Sequence, residues 1–300
     1  MTDDERLLRE YGQAVGYLPP RFRSVAMQID NDTKKKAEEF RLRAGRGLCV
    51  TVSGRERELV CECPVRHEEL NAVLELATRS SVHTSADTIR QGFVTVAGGH
   101  RIGLCGTGVT NCGEASFIKD LSSVSIRIAK DIIGASVGVA EKITDDRGIS
   151  NTLIISPPGY GKTTMLRDLV RTLSDSGYRV SLVDERGELA AKYKGVAQFD
   201  VGAHTDIMDG FDKAEAAMLM LRTMTPDIIA VDEITASDDI EAMERIANCG
   251  VRLIATAHGD DVMSLMSRPL YRKMYELEIF KKAVVLKKEN GEFRHSIEDI

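Results

Sequence analysis

The segment Ser156-Pro-Pro-Gly-Tyr-Gly-Lys-Thr163 limits what this chain can fold into more than any other stretch, because of what flanks it. Before it, Asn151–Ser156 is apolar and strand-like. After it, Met165, Leu166, Leu169, Val170 and Leu173 recur at helical spacing as one apolar stripe, and Gly177 stands where a helix running from Lys162 to Ser176 needs a cap. A strand, a glycine loop and a helix in that order turn backbone N–H groups and the positive end of a helix dipole toward one point. Such a point suits the phosphates of a nucleotide.

The residue types in the loop fit that chemistry. Gly159 and Gly161 let N–H groups face inward, Lys162 supplies a point charge for the β- and γ-phosphates, and the Thr163 hydroxyl is a ligand for Mg²⁺. Ser156, Pro157, Pro158, Gly159, Tyr160, Gly161, Lys162, Thr163 and Thr164 are therefore the expected lining for ATP with Mg²⁺. One position departs from the G-x-x-x-x-G-K-[ST] pattern, whose first glycine sets a tight turn: here it is Ser156.

From the loop onward strands and helices alternate. Arg179–Val183, Asp227–Val231 and Val251–Thr256 read as strands and Asp238–Asn248 as a helix, which implies an α/β fold with a mostly parallel sheet. Strands of such a sheet deliver the residues at their C-terminal ends to the ligand edge. Three ends carry chemistry. Ile228-Ile-Ala-Val231 leads into Asp232 and Glu233, the first suited to hold Mg²⁺ through water and the second to orient or deprotonate an attacking water. Acidic residues after a strand also serve as ordinary helix caps. Val183-Asp184-Glu185 is a similar end, so Glu185 competes with Glu233 for the role of base, and His258, after Leu253–Ala257, is placed to sense a γ-phosphate.

Upstream the pattern changes. Glu38–Arg43 with Leu48–Val52, and Gly92–Ala97 with His100–Leu104, read as strands joined by glycine turns, and the run from Glu68 reads as a helix. A smaller α+β domain is expected over 1–143 and the α/β domain over 144–300. The boundary falls near Ile143 to Ser150, after the small-residue stretch Gly134–Ala140, which reads as linker. A terminal hairpin is expected around Asn290-Gly291. Arg101 and Arg127 lie on strand-like segments of the first domain, and side-chain chemistry alone favours plain surface arginines there.

Composition removes several function classes. A 43% apolar content over 300 residues fits two globular domains, and a net charge of −6 with a pI near 5.6 gives no general attraction to nucleic acid or anionic membrane. Six cysteines show no paired CxxC spacing, and free thiols are expected. The acidic start lacks the features of a signal peptide and no apolar run reaches the length of a membrane span, so a cytoplasmic location is expected.

With these residues in hand the chain resembles the secretion-ATPase superfamily, and within it a branch serving spore formation. The resemblance runs from Glu39-Phe-Arg-Leu-Arg-Ala-Gly-Arg46 through Gly99-His-Arg-Ile-Gly103 and Ser122–Arg127 to Ala255–Asp260. It maps an aspartate box onto Val183-Asp184-Glu185, a Walker B segment onto Thr225–Glu233 and a histidine box onto Thr256-Ala-His258. Asp232 departs from the many members that carry glycine before the Walker B glutamate. The resemblance implies a RecA-like P-loop domain behind a small N-terminal domain, a ring of six identical subunits, and Arg101 and Arg127 reaching the phosphates. It further implies membrane proteins of a sporulation channel complex as partners, with the motor at its cytoplasmic face and no nucleic acid involved. A RecA-type nucleic-acid motor and a nucleotide-gated scaffold with weak hydrolysis are the competing readings.

Overall fold

A computed structural model describes residues 2–59, 63–78, 92–111, 114–146, 148–289 and 292–300. Cys61, Cys112 and the turn Asn290-Gly291 lie outside the described residues. By its contacts the chain divides into two units: Met1–Asp131 with Ala191–Gln198, and Ile132–Ala190 with Phe199–Ile300.

The first unit opens with three helices, α1 (Asp3–Val15), α2 (Pro20–Met27) and α3 (Asn31–Lys36). The α1 start is fixed by a reciprocal cap: the Glu5 N–H donates to the Thr2 hydroxyl, and the Glu5 carboxylate accepts from the Thr2 N–H. Strands β1 (Ala37–Arg43), β2 (Cys49–Val52) and β3 (Arg55–Glu58) follow, then α4 (His67–Thr78) and strands β4 (Phe93–Thr95), β5 (Arg101–Asn111) and β6 (Glu114–Arg127). They form one antiparallel sheet in the order β3-β2-β1-β6-β5-β4. Alternation, broken by bulges at Ala37/Glu39 and Cys105/Thr107, sorts its two faces. Phe40, Leu42, Ile102, Leu104, Val124 and Ile126 are buried in one cluster with Tyr11, Phe22, Leu70 and Val73 from the helices. Each such burial contributes about 1.5–3 kcal/mol. The intervening positions, among them Glu39, Arg41, Arg101, Ser125 and Arg127, fall on the other, polar face.

The second unit begins with the short helix α5 (Val139–Lys142) and the pair β7 (Thr144–Asp145) and β8 (Gly148–Ile149). Its main elements are β9 (Thr152–Ser156), α6 (Lys162–Asp175), β10 (Val180–Asp184), β11 (Thr205–Asp209), α7 (Lys213–Thr223), β12 (Ile228–Val231), α8 (Ser237–Asn248) and β13 (Arg252–His258). Helices α9 (Val262–Met266) and α10 (Pro269–Glu276) and the hairpin β14 (Lys282–Glu289) and β15 (Glu292–Asp299) close the chain. The sheet order is β11-β10-β12-β13-β9-β14-β15, parallel throughout except for the antiparallel edge strand β15. Every residue of β9, β10 and β12 is buried, as a sheet with helices on both faces requires.

The small-residue stretch 134–140 does not run as a loose connection. Gly134 and Ser136 donate their N–H groups to the buried carboxylate of Asp168 on α6, at 3.0 and 2.7 Å, and the Ser136 hydroxyl adds a third bond at 2.7 Å. Gly134 and Gly138 take φ of +90° and +73°, so glycine serves the backbone turns here, which from composition alone look the same as a linker.

Candidate nucleotide site

The loop between β9 and α6 has the geometry that its glycines allow. Gly159 and Gly161 take φ values of +77° and +86°, in the left-handed region where a side chain is strained, and Gly161 hands the chain directly into α6. Pro158 and Gly159 are exposed at its tip, and Pro157, Tyr160, Gly161, Thr163 and Thr164 are half-buried. Ser156 answers the one departure from the motif. It is the last residue of β9, buried and paired in register with His258, so no left-handed turn exists there for a glycine to relieve.

Parallel register aligns the strand ends, with Val183 opposite Val231, Val231 opposite Ala255, and Ser156 opposite His258. The residues that follow are thereby gathered at one edge. Lys162, 8% exposed at the first position of α6, extends its Nζ to Nδ1 of His258 at 2.7 Å and to the carbonyl oxygen of Ser156 at 3.2 Å. His258 Nε2 lies 3.2 Å from Glu233 Oε1. Nζ also lies 3.3 Å from Nε2, so the imidazole stands between the ammonium and the Glu233 carboxylate. Lysine, histidine and glutamate therefore form one connected chain. Burial pushes the Lys162 amine below its usual range, and the charges of Glu233 and Asp232 oppose that shift.

Asp232 stands beside this chain and accepts from the Thr256 hydroxyl at 3.3 Å. Burial pushes its carboxyl up, and the neighbouring charges of Asp184 and Glu188 push the same way, so the strand ends carry surplus negative charge. Such a surplus suits a divalent cation; with the Thr163 hydroxyl and phosphate oxygens, oxygen donors of this kind fit Mg²⁺. Among the described residues no cluster of three or more His, Cys, Asp or Glu side chains forms a cage for a metal by itself.

The two candidate bases are held differently. Glu233 has its carboxylate on His258, whereas Glu185 has its Oε2 3.3 Å from Nζ of Lys213, a residue the sequence reading passed over. Lys213 is buried at the start of α7 and reaches the carbonyl oxygen of Glu233 at 2.5 Å. Asp184 is turned inward, where its carboxylate accepts the N–H groups of Glu188, Leu189 and Ala190 at 2.8, 3.0 and 2.8 Å. Arg167 of α6, also unread in the sequence, donates to the carbonyls of Leu189 and Glu188 and stacks on Phe199. No short motif announces Lys213, Arg167 or Asp168, because their partners lie about twenty to thirty-five positions away in the chain.

Arg101 and Arg127 belong to the first unit, where the register sets them directly opposite each other on β5 and β6, with Glu39 on the far side of Arg127. Arg101 stacks over the Phe93 ring at 4.2 Å, and Arg127 is exposed. Opposed like charges on one sheet face weaken a sheet.

Comparison with known proteins agrees with this architecture. The chain is 32% identical over 280 residues to stage III sporulation protein AA of Bacillus subtilis, covering 91% of this chain and 90% of that one. A shorter match, 32% over 144 residues, joins 44% of this chain to 20% of Protein SEEDLING PLASTID DEVELOPMENT 1 of Arabidopsis thaliana. Among solved structures, the pilus retraction motor PilT with bound ADP superposes with a TM-score of 0.62 at 15% identity, over 89% of this chain and 81% of that chain. The Legionella pneumophila ATPase DotB gives 0.58 at 16%, over 93% and 81%. At these identities the likeness establishes the α/β fold of such ATPases. Residues 12–297 match the family described as Sporulation stage III, protein AA, and the chain belongs to that family.

Proposed function

We propose that this chain hydrolyses ATP and passes the resulting motion to a membrane complex used in spore formation, working as a ring of six copies. The observation that carries the reading is the connected chain Lys162–His258–Glu233 at the mouth of the glycine loop. Each member has a task. The loop N–H groups and Lys162 would hold the β- and γ-phosphates, Thr163 and Asp232 would hold Mg²⁺, and Glu233 would orient the attacking water. Bound Mg²⁺ would neutralise charge on the phosphates as the bond breaks. A γ-phosphate drawn to Lys162 competes for the same ammonium that contacts His258, so the ring would register phosphate and relay it to Glu233.

Arg101 and Arg127 are proposed to supply further positive charge to the phosphates. The register that sets both arginines side by side on one polar sheet face supports a joint role. The family membership supports the sporulation setting, and the fold shared with the ATPase DotB and with PilT, which holds ADP, supports a nucleotide reaction. No helix of the described residues is long and apolar enough to cross a membrane, and membrane proteins of the complex are the proposed partners.

Light scattering with and without a non-hydrolysable ATP analogue, paired with a phosphate-release assay, tests the reading. Magnesium-dependent turnover by a six-fold assembly is expected. Nucleotide binding without turnover would instead favour the gated scaffold, and a strict monomer with nucleotide would remove the ring.

A further inference from the structure

The segment that follows β12 is tied down at several of its polar backbone atoms. The Ile234 N–H donates to the Thr256 carbonyl at 2.9 Å, and the Ile234 carbonyl accepts from the Tyr271 hydroxyl at 2.8 Å. The N–H groups of Thr235 and Ala236 both donate to Asp239 Oδ2, at 2.8 and 3.0 Å. The Glu233 carbonyl accepts from Lys213 Nζ at 2.5 Å. The Glu233 side chain points away from these anchors to His258, with Oε1 3.2 Å from Nε2.

Lys213 joins this segment to the other acidic strand end. Its ammonium, 7% exposed, lies 3.2 Å from Thr235 Oγ1, 3.3 Å from Glu185 Oε2 and 3.6 Å from Asp239 Oδ2, besides the Glu233 carbonyl. A buried lysine is retained only where its charge is answered, and here two carboxylates answer it. Without that cation Glu185 and Asp239 would face each other across the start of α7, and the Glu233 backbone would lose its anchor.

We propose that Lys213 is a positioning residue of the nucleotide site: it fixes the backbone of Glu233 and occupies the carboxylate of Glu185, leaving Glu233 as the carboxylate that handles the attacking water. The proposal rests on the ATPase reading above. It assigns Glu185 a supporting part, as a partner that keeps the ammonium in place.

The test measures kcat and KM for magnesium-ATP, binding of a fluorescent ATP analogue, and amide exchange at 234–236, in wild type, Lys213→Met, Lys213→Gln and Lys213→Arg. For Lys213→Met, kcat is expected to fall at least tenfold with KM and analogue affinity within threefold of wild type, and Thr235 and Ala236 should exchange faster. Lys213→Arg, which keeps the charge, should regain part of the lost kcat. A merely structural lysine would instead move KM and binding together with kcat, and that result overturns the proposal, as does a Lys213→Met kcat within threefold of wild type. If the methionine variant fails to fold, the other two decide: a kcat ordered wild type, arginine, glutamine at constant KM supports the proposal, and three equal values overturn it. If wild type itself shows no turnover, the ATPase reading has failed, and the positioning claim is judged by exchange alone. Unchanged protection of Thr235 and Ala236 in Lys213→Gln would then overturn it.

Discussion

Lys162 Nζ sits 2.7 Å from His258 Nδ1, and the same ring faces Glu233 from its other nitrogen. The relationship makes His258 an intermediary between the loop and the water-handling carboxylate. His258→Ala should therefore bind the fluorescent ATP analogue within threefold of wild type while its kcat drops at least tenfold, because the coupling and not the phosphate grip is removed. A rise in KM with unchanged kcat would place the ring in binding alone.

Ser156 offers a test of how the loop tolerates its departure from the glycine pattern. Its backbone is extended within β9, so Ser156→Gly gains no turn and adds flexibility to a strand. A stability loss of about 0.5–1 kcal/mol is expected, read from thermal unfolding, with nucleotide affinity within twofold. A large gain in affinity would show that the serine distorts the loop.

The loop, the strands behind it and the acids at their ends were legible because each is a local pattern: a motif, a period of two, a period of 3.6. His258 was legible from its place after an apolar strand, and register then set it beside Ser156. Asp168 was not, since it reads as one polar residue of an amphipathic helix while its partners lie 32 and 34 positions upstream. The same holds for Lys213, which reads as a helix start after the capping Asp212. Most hidden was Ala191–Gln198, which interrupts the α/β order and packs with the first unit; no local signal distinguishes it from an ordinary loop.

Asp168 also carries a stability prediction. Its buried carboxylate accepts from Gly134, from Ser136 twice and from Arg171 through Nε and Nη2, and these bonds hold its pKa down against burial. Asp168→Ala leaves several of those donors without an acceptor and should cost about 3–5 kcal/mol. A thermal midpoint within two degrees of wild type, to the order of precision of a small ΔΔG, would contradict it.

The first unit should be sensitive to acid through His100. Burial holds its ring at about 4 where 6.5 is usual, and Nδ1 accepts the Ala129 N–H at 3.0 Å. Unfolded chain takes up a proton on this ring near its ordinary pKa and folded chain does not. Stability therefore falls as pH drops from 6.5 toward 4, by up to about 3 kcal/mol, and the group contributes nothing to pH dependence above that window. Urea unfolding of His100→Gln across this range should show a shallower decline than wild type; parallel declines would remove His100 from the account.

The paired arginines separate function from stability. Arg127 is exposed, in register with Arg101 and with Glu39, whose carboxylate pairs with Arg41, so Arg127→Ala should alter stability by less than about 1 kcal/mol. Its turnover at saturating ATP should nonetheless fall at least tenfold. Turnover equal to wild type would return Arg127 to the surface.

Steady-state phosphate release with magnesium-ATP, comparing wild type with Lys162→Ala, Glu233→Gln and Glu185→Gln, bears most directly on the central claim. Wild type should turn over, Lys162→Ala should lose both binding and turnover, and Glu233→Gln should keep binding while losing at least a hundredfold in rate. Glu185→Gln should lose less than Glu233→Gln, as befits a carboxylate already occupied by Lys213. A Glu233→Gln protein that hydrolyses ATP as fast as wild type would contradict the claim.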